Sequence, residues 1–350
     1  MQTETITLSA SRKVTLTAYL QEVDGPFDYV KRRPAVLILP GGGYQYCSKR
    51  EMDPVAYGFL QAGFQTFILH YSVRKEATWP TPLNDYDQAM DVIRQNAGAW
   101  NLYPDKIAVI GFSAGGHLAA AAATMSRQRP NAAILGYAVA GEDVKVCLPS
   151  APDTIDYVDE RTCPCFLFAT RNDKIVPIQN SLRFMDALAR ADVSFESHIY
   201  AYGPHGFSTA DSSIQNPSEP ICARVPNWQK DAIGWLRDVF GDFSEDGLTK
   251  PKVGHYATAD REPTLSLDCT VGHVLQNPIA QKKLLPLLRT SMAQKMLEPL
   301  QDNVGLTPNT EGADRLKDCK MVLRGVLGFI RCPEPIMELL DRKLKKIPNV

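Results

Sequence analysis

Val14, Leu16, Ala18 and Leu20 alternate with polar neighbours, the period-two signature of a strand with one buried face. They lie within residues 3–23, a stretch that reads as a hairpin and is followed by a Gly25-Pro26 turn. A different pattern comes next. Ala35-Val-Leu-Ile-Leu39 is apolar throughout, as strands are when helices cover both faces of a parallel sheet. Phe64–Tyr71, 106–110, Ala132–Val139, Pro164–Ala169 and Ser194–Tyr200 supply five further strand candidates. Residues 51–62, 84–99, 179–190 and 226–240 read as helices between or after them, with Ala89, Val92 and Ile93 on one face of the second. Strands alternating with helices predict an α/β fold with a mainly parallel, doubly wound sheet and right-handed crossovers.

The pattern changes after residue 242. Residues 243–267 are polar and proline-containing with no clear period, and read as a linker. From Thr270 the helical period returns, in Val271, Val274 and Leu275, then Leu284, Leu287 and Leu288, then Met321–Ile330 and Ile336–Leu344. The expected organisation is an α/β domain over 1–242, a linker over 243–267 and a small all-α domain over 268–350. The apolar faces of the tail suit internal packing or assembly of a homo-oligomer through the C-terminal helices.

Composition narrows the function by exclusion. A net charge of −1 over 350 residues gives no electrostatic reason to expect a nucleic-acid or anionic-membrane partner. No stretch approaches the ~18 consecutive apolar residues of a transmembrane helix. Met1-Gln-Thr-Glu-Thr-Ile-Thr-Leu-Ser9 has neither the basic start nor the apolar core of a secretory signal, so a cytoplasmic protein is expected. The eight cysteines are scattered, and Cys163-Pro-Cys165 has the wrong spacing for a redox or zinc pair. They read as reduced structural thiols, with no metal site implied.

The chemistry centres on Gly111-Phe112-Ser113-Ala114-Gly115, directly after the apolar run Ile107–Ile110 and before Leu118-Ala-Ala-Ala-Ala-Ala-Thr124. This Gly-x-Ser-x-Gly pattern at a strand-to-helix junction exposes a serine on a sharp bend, with glycines where neighbouring backbone passes close. Ser113 is therefore the candidate nucleophile, and it needs a base that is itself held by an acid. Asp173, in Ala169-Thr-Arg-Asn-Asp-Lys-Ile-Val-Pro177, and His205, in Tyr202-Gly-Pro-His-Gly-Phe207, both follow predicted strands. Catalytic groups gather at that end of open α/β sheets. Asp173 also suits a turn or a helix N-cap, and Asp153, Asp156 and Asp159 are alternative acids. The amide of Ala114 and those of the Gly41-Gly42-Gly43 loop, Gly42 and Gly43 above all, are candidate oxyanion-hole donors. Tyr44, His117 and Phe207 are candidate cleft-lining residues, although packing behind the nucleophile is the more ordinary role for His117. No Gly-Lys-Ser/Thr ending accompanies the glycines, which argues against a phosphate loop.

Together, Leu39-Pro-Gly-Gly-Gly-Tyr44, Ile110-Gly-Phe-Ser-Ala-Gly-Gly-His117, Thr170-Arg-Asn-Asp-Lys-Ile-Val-Pro177 and Gly203-Pro-His-Gly-Phe207 resemble the α/β-hydrolase superfamily. Within it, the chain over 1–242 is similar to bacterial esterases grouped with acetyl-xylan esterases and hormone-sensitive-lipase-like carboxylesterases. The resemblance implies a serine esterase with a Ser113–Asp173–His205 triad, no cofactor, and a small acylated substrate such as a carbohydrate ester. The lipase-like branch usually has histidine where Pro40 stands here, which favours the sugar-esterase branch. A generic short-chain carboxylesterase, a serine peptidase of the prolyl-oligopeptidase type and a catalytically silent binding module are the alternatives. Thr270-Val-Gly-His-Val-Leu-Gln-Asn-Pro278 resembles small helical C-terminal segments of carbohydrate-active hydrolases.

Overall fold

The computed structural model describes residues 1–23, 29–216, 218–288, 316–329 and 331–349. The Gly25-Pro26 turn and the tail between 289 and 315 lie outside them. Two units are present, Met1–His255 and Tyr256–Val350.

An eight-stranded sheet organises the first unit. Its strands are β1 (Gln2–Ser9), β2 (Val14–Leu20), β3 (Arg33–Leu39), β4 (Gln65–His70), β5 (Leu102–Phe112), β6 (Ala132–Gly136), β7 (Cys165–Thr170) and β8 (Phe195–Tyr200). Their order is β1-β2-β4-β3-β5-β6-β7-β8. The β1–β2 hairpin and the β2–β4 pair are antiparallel, and every pair from β4 to β8 is parallel.

The pleat explains why β3 carries no polar residue on either face from Ala35 onward. Ala35, Leu37 and Leu39 enter one apolar core, and Val36 and Ile38 enter the other. Helices α2 (Thr81–Gln95), α3 (Ala114–Thr124) and α4 (Gln179–Arg190) cover the first face, while α1 (Asp53–Gln61) and α5 (Trp228–Phe240) cover the second. Full burial of each such aliphatic side chain contributes about 1.5–3 kcal/mol before chain entropy is counted. Trp228 of α5 stacks on Phe168 of β7 with ring centroids 4.2 Å apart and meets Phe112 of β5 edge-on. These contacts fix α5 beneath the strand that delivers Ser113.

Residues 132–139 form a shorter strand than their continuous apolar run predicts. β6 stops at Gly136, because Tyr137 turns into the left-handed region (φ 34°). That turn sends the tyrosine hydroxyl away from the sheet and into a polar cluster described below.

The linker expected over 243–267 is not a separate segment. Phe243–Ser244 and Gly247–Leu248 pair as a small hairpin, Lys252 bridges Asp238 at 2.8 Å, and Ser194 N–H donates to the His255 carbonyl. Residues 243–255 thus belong to the first unit. Leu265 and Leu267, by contrast, enter the core of the second with Cys269, Val274, Ala280, Leu344 and Ile347. Two-residue strands and single apolar anchors have no period, so the sequence pattern did not reveal them. Helices α6 (Val271–Gln276), α7 (Pro278–Leu288), α8 (Leu323–Phe329) and α9 (Glu334–Leu344) make up the rest of the described tail. All eight cysteines are unpaired. Among the described residues no helix is long and apolar enough to cross a membrane.

Candidate active site

β5 is buried from Ile107 to Phe112 and ends in a bend at Ser113, whose backbone is held at φ 52°, ψ −116°. A non-glycine residue there carries about 1–3 kcal/mol of strain. Three hydrogen bonds oppose it: Ser113 N–H donates to Gly136 O at 3.0 Å, and Ser113 O accepts from His117 N–H at 3.0 Å and Val139 N–H at 3.2 Å. The flanking glycines are steric necessities. A Cβ on Gly111 would overlap the Gly115 carbonyl, and one on Gly115 would overlap the carbonyls of Leu39 and Pro40.

Asp173 lies in the turn after β7 and His205 in the loop after β8. Asp173 Oδ1 accepts from the amides of Ile175 (2.8 Å) and Val176 (3.0 Å), which leaves Oδ2 facing His205 Nδ1 at 2.7 Å. Nε2 of the same ring stands 2.9 Å from Ser113 Oγ. The Asp173 side chain is 1% exposed and that of His205 16%. A carboxylate only accepts, so Nδ1 carries the hydrogen and a bare Nε2 faces the serine hydroxyl. Asp173 is a turn residue, not the N-cap of α4, which is Ile178. Of the alternative acids, Asp156 is exposed, and Asp153 and Asp159 are engaged elsewhere. Asp153 accepts from Ile155 N–H and pairs with Arg183. Asp159 is bridged by Arg129; partial burial pushes its carboxyl up, but the guanidinium holds it down at about 2.

The loop after β3 has its carbonyls turned inward. Gly41 O accepts from Ser48 N–H, and Gly42 O from Gln45 and Tyr46 N–H. Gly42 (φ 123°) and Gly43 (φ 61°) take conformations that side chains resist. Their own N–H groups bond to no atom of the described residues. Ala114 opens α3, so its N–H has no earlier carbonyl in the helix to meet. The positive end of the helix dipole adds to its attraction for negative charge.

The BD-FAE family model matches residues 25–146, and the prolyl oligopeptidase family model matches residues 150–222. An α/β hydrolase enzyme from a Medee basin deep-sea metagenome library is 39% identical, with a TM-score of 0.65 over 68% of this chain and 98% of that one. The chain belongs to the α/β-hydrolase superfamily. The chain is also similar to endo-1,4-β-xylanase B of Butyrivibrio fibrisolvens, at 30% identity over 57% of this chain and 35% of the relative. The acetylxylan esterase of Xylanibacter ruminicola is 29% identical over 49% of this chain and 41% of the relative. The chain thus spans less than half the length of either of these curated relatives.

The three candidate cleft-lining residues require correction, because all are wholly buried. Tyr44 Oη and His117 Nδ1 are 2.7 Å apart, and burial drives the His117 pKa down to about 4. Phe207 packs against Tyr137 and Phe168. None presents a surface to a ligand.

Three residues without a distinctive sequence signal surround the site. Arg50 donates to the Gly206 carbonyl and to Gln215 Oε1, each at 2.7 Å. Buried Glu51 accepts from Gly41 N–H at 2.7 Å and from Tyr137 Oη at 2.6 Å. In sequence, Lys49-Arg50-Glu51 looks like a solvated charge run ahead of α1, and Tyr137 like one more residue of an apolar strand.

Proposed function

We propose that the chain is a serine carboxylic-ester hydrolase that deacetylates O-acetylated sugars or xylo-oligosaccharides. The observation that carries this reading is the continuous hydrogen-bond chain from Asp173 through His205 to Ser113. Ser113 Oγ attacks the acetyl carbonyl carbon while His205 Nε2 takes the hydroxyl proton. The tetrahedral oxyanion is met by the amides of Ala114, Gly42 and Gly43, an interaction worth about 10²–10³ in kcat for a single donor. Collapse expels the sugar alcohol, to which the imidazolium returns the proton, and leaves an acetyl ester on Ser113. Water, deprotonated by His205, then attacks that ester, releases acetate and restores the serine. Asp173 keeps the imidazole in the required tautomer and balances its charge.

Three observations support a sugar ester as substrate. Xylan-related names occur among the relatives, and Pro40 replaces the histidine of the lipase-like branch. Between β6 and β7 the chain places two short 3-10 helices, Glu142–Val146 and Thr154–Tyr157, where a helical lid would shield a lipid. The prolyl oligopeptidase match over 150–222 favours a second reading, as a peptidase. Acetate release from acetylated xylo-oligosaccharides is expected to exceed turnover of p-nitrophenyl butyrate and of a proline-containing peptide. Preferential cleavage of the peptide would overturn the esterase reading. Ser113→Ala should abolish hydrolysis of p-nitrophenyl acetate, and full activity in that variant would exclude the serine mechanism.

A further inference from the structure

Glu51 is 4% exposed, and among the described residues no cation pairs with its carboxylate. Burial raises its pKa above the usual carboxylate value, against the smaller opposing pull of the hydrogen bonds from Tyr137 and Gly41. Both carboxylate oxygens accept a hydrogen bond, one from each donor. Buried charge is costly in a fold, and the triad described above makes no use of this one.

Its two partners lead to opposite sides of the site. Gly41 directly precedes the two glycines with free amides. A Cβ on Gly41 would stand 2.8 Å from Glu51 Oε2, 2.8 Å from Phe112 O and 3.1 Å from the Ser113 Cβ. The loop is therefore held between the carboxylate and the nucleophile bend. On the other side, the Tyr137 ring meets His205 edge-on at 5.1 Å and Phe207 at 4.6 Å. Its hydroxyl accepts from Ser208 N–H at 3.1 Å, and Ser208 Oγ donates back to the carbonyl of Arg50. The contacts close a ring through Glu51, Tyr137, Ser208 and Arg50, the last joined to Glu51 along the chain, and Gly41 hangs on that ring at Glu51.

We propose that Glu51 is a positioning residue for ester hydrolysis, setting through Gly41 and Tyr137 the placement of the oxyanion loop relative to His205. The inference rests on the esterase reading given above. The oxyanion and the imidazolium form together in the transition state, so an error in their spacing acts there and not on bound substrate. Its signature is a fall in kcat at constant KM.

Glu51→Gln and Tyr137→Phe, the latter keeping the ring and removing only the hydroxyl, test the idea with p-nitrophenyl acetate. Each should lower kcat by about 10- to 100-fold while KM stays within about threefold, the scale of a small misplacement of catalytic groups. Affinity for phenylboronic acid, which forms a tetrahedral adduct on the serine, should weaken in the same proportion. Thermal melts of both variants give the folded fraction. The proposal is overturned if kcat per folded molecule stays within about threefold in Tyr137→Phe and in any folded Glu51→Gln, or if KM alone rises. Ser113→Ala measured alongside keeps the two ideas apart. Activity in that variant removes the esterase mechanism itself, whereas its loss beside fully active Glu51 and Tyr137 variants removes only the positioning role.

Discussion

Tyr44 donates its phenolic hydrogen to Nδ1 of His117 across 2.7 Å, joining the glycine loop to the helix that follows Ser113. The direction follows from the other ring nitrogen. His117 Nε2 lies 2.9 Å from the Pro152 carbonyl, which can only accept, so Nε2 holds the hydrogen and Nδ1 receives. Trp79 packs edge-on against the same imidazole. The pair is a buried polar link and not a substrate contact.

That link makes the fold sensitive to acid. Burial lowers the His117 pKa to about 4, against the weaker opposing pulls of the Pro152 carbonyl and Asp153. An unfolded histidine takes its proton near 6.5. Between about pH 6.5 and 4 the unfolded chain therefore binds more protons than the folded one, and stability falls as the pH is lowered through that window. The full difference corresponds to about 3 kcal/mol, reached near pH 4 and constant below it. Urea unfolding at pH 7 and pH 4.5 should show a smaller loss for His117→Asn than for the wild type. Equal losses in the two proteins would contradict this account of His117.

Asp173→Asn should separate geometry from charge. The Asn oxygen can still accept from Ile175 and Val176 as Asp173 Oδ1 does, so the turn should persist. The amide nitrogen then faces His205 Nδ1 and favours the tautomer with hydrogen on Nε2, where it no longer takes a proton from Ser113. A fall of about 10³- to 10⁴-fold in kcat is expected, with the melting temperature nearly unchanged. A loss below about tenfold would return the acid role to another residue.

How much of this was legible in the sequence depended on whether the feature was local. The solid apolar run of β3, the alternation in β2 and the Ser113 bend are each written within a few neighbouring residues, and the structure has them at those places. Asp173 and His205 could be read because each follows a strand directly. The Tyr44–His117 pair joins residues 73 apart, and Glu51–Tyr137 joins residues 86 apart. Periodicity and spacing carry no record of such pairings. A tyrosine beside three glycines reads as exposed, and only the packed fold buries it. The same limit hid the anchors Leu265 and Leu267, which lie alone in a polar stretch.

Gly115→Ala tests the steric argument for the bend. The added methyl would overlap two carbonyl oxygens at the end of β3, and backbone cannot yield as a flexible side chain does. Destabilisation beyond about 4 kcal/mol, in the range reserved for such clashes, is expected. Soluble yield and urea midpoint are the measurements, with Gly98→Ala as a control because nothing lies within 4 Å of its Cβ position. Similar behaviour of the two variants would show that the elbow relaxes.

Arg50 offers a test of the His205 loop from the outside. Its guanidinium donates to Gly206 O and Gln215 Oε1, clamping the residue next to His205 to a buried glutamine. Arg50 itself is exposed, so Arg50→Ala should cost no more than about 1 kcal/mol of stability. Losing the clamp frees Gly206, and Nε2 then spends less time at hydrogen-bonding distance from Ser113. A kcat loss of about tenfold with little change in KM is expected on p-nitrophenyl acetate. Arg50→Lys keeps the charge but presents a compact ammonium on a shorter reach, and should recover only part of the rate. Full recovery by lysine would mean that the charge near the site matters and the clamp does not.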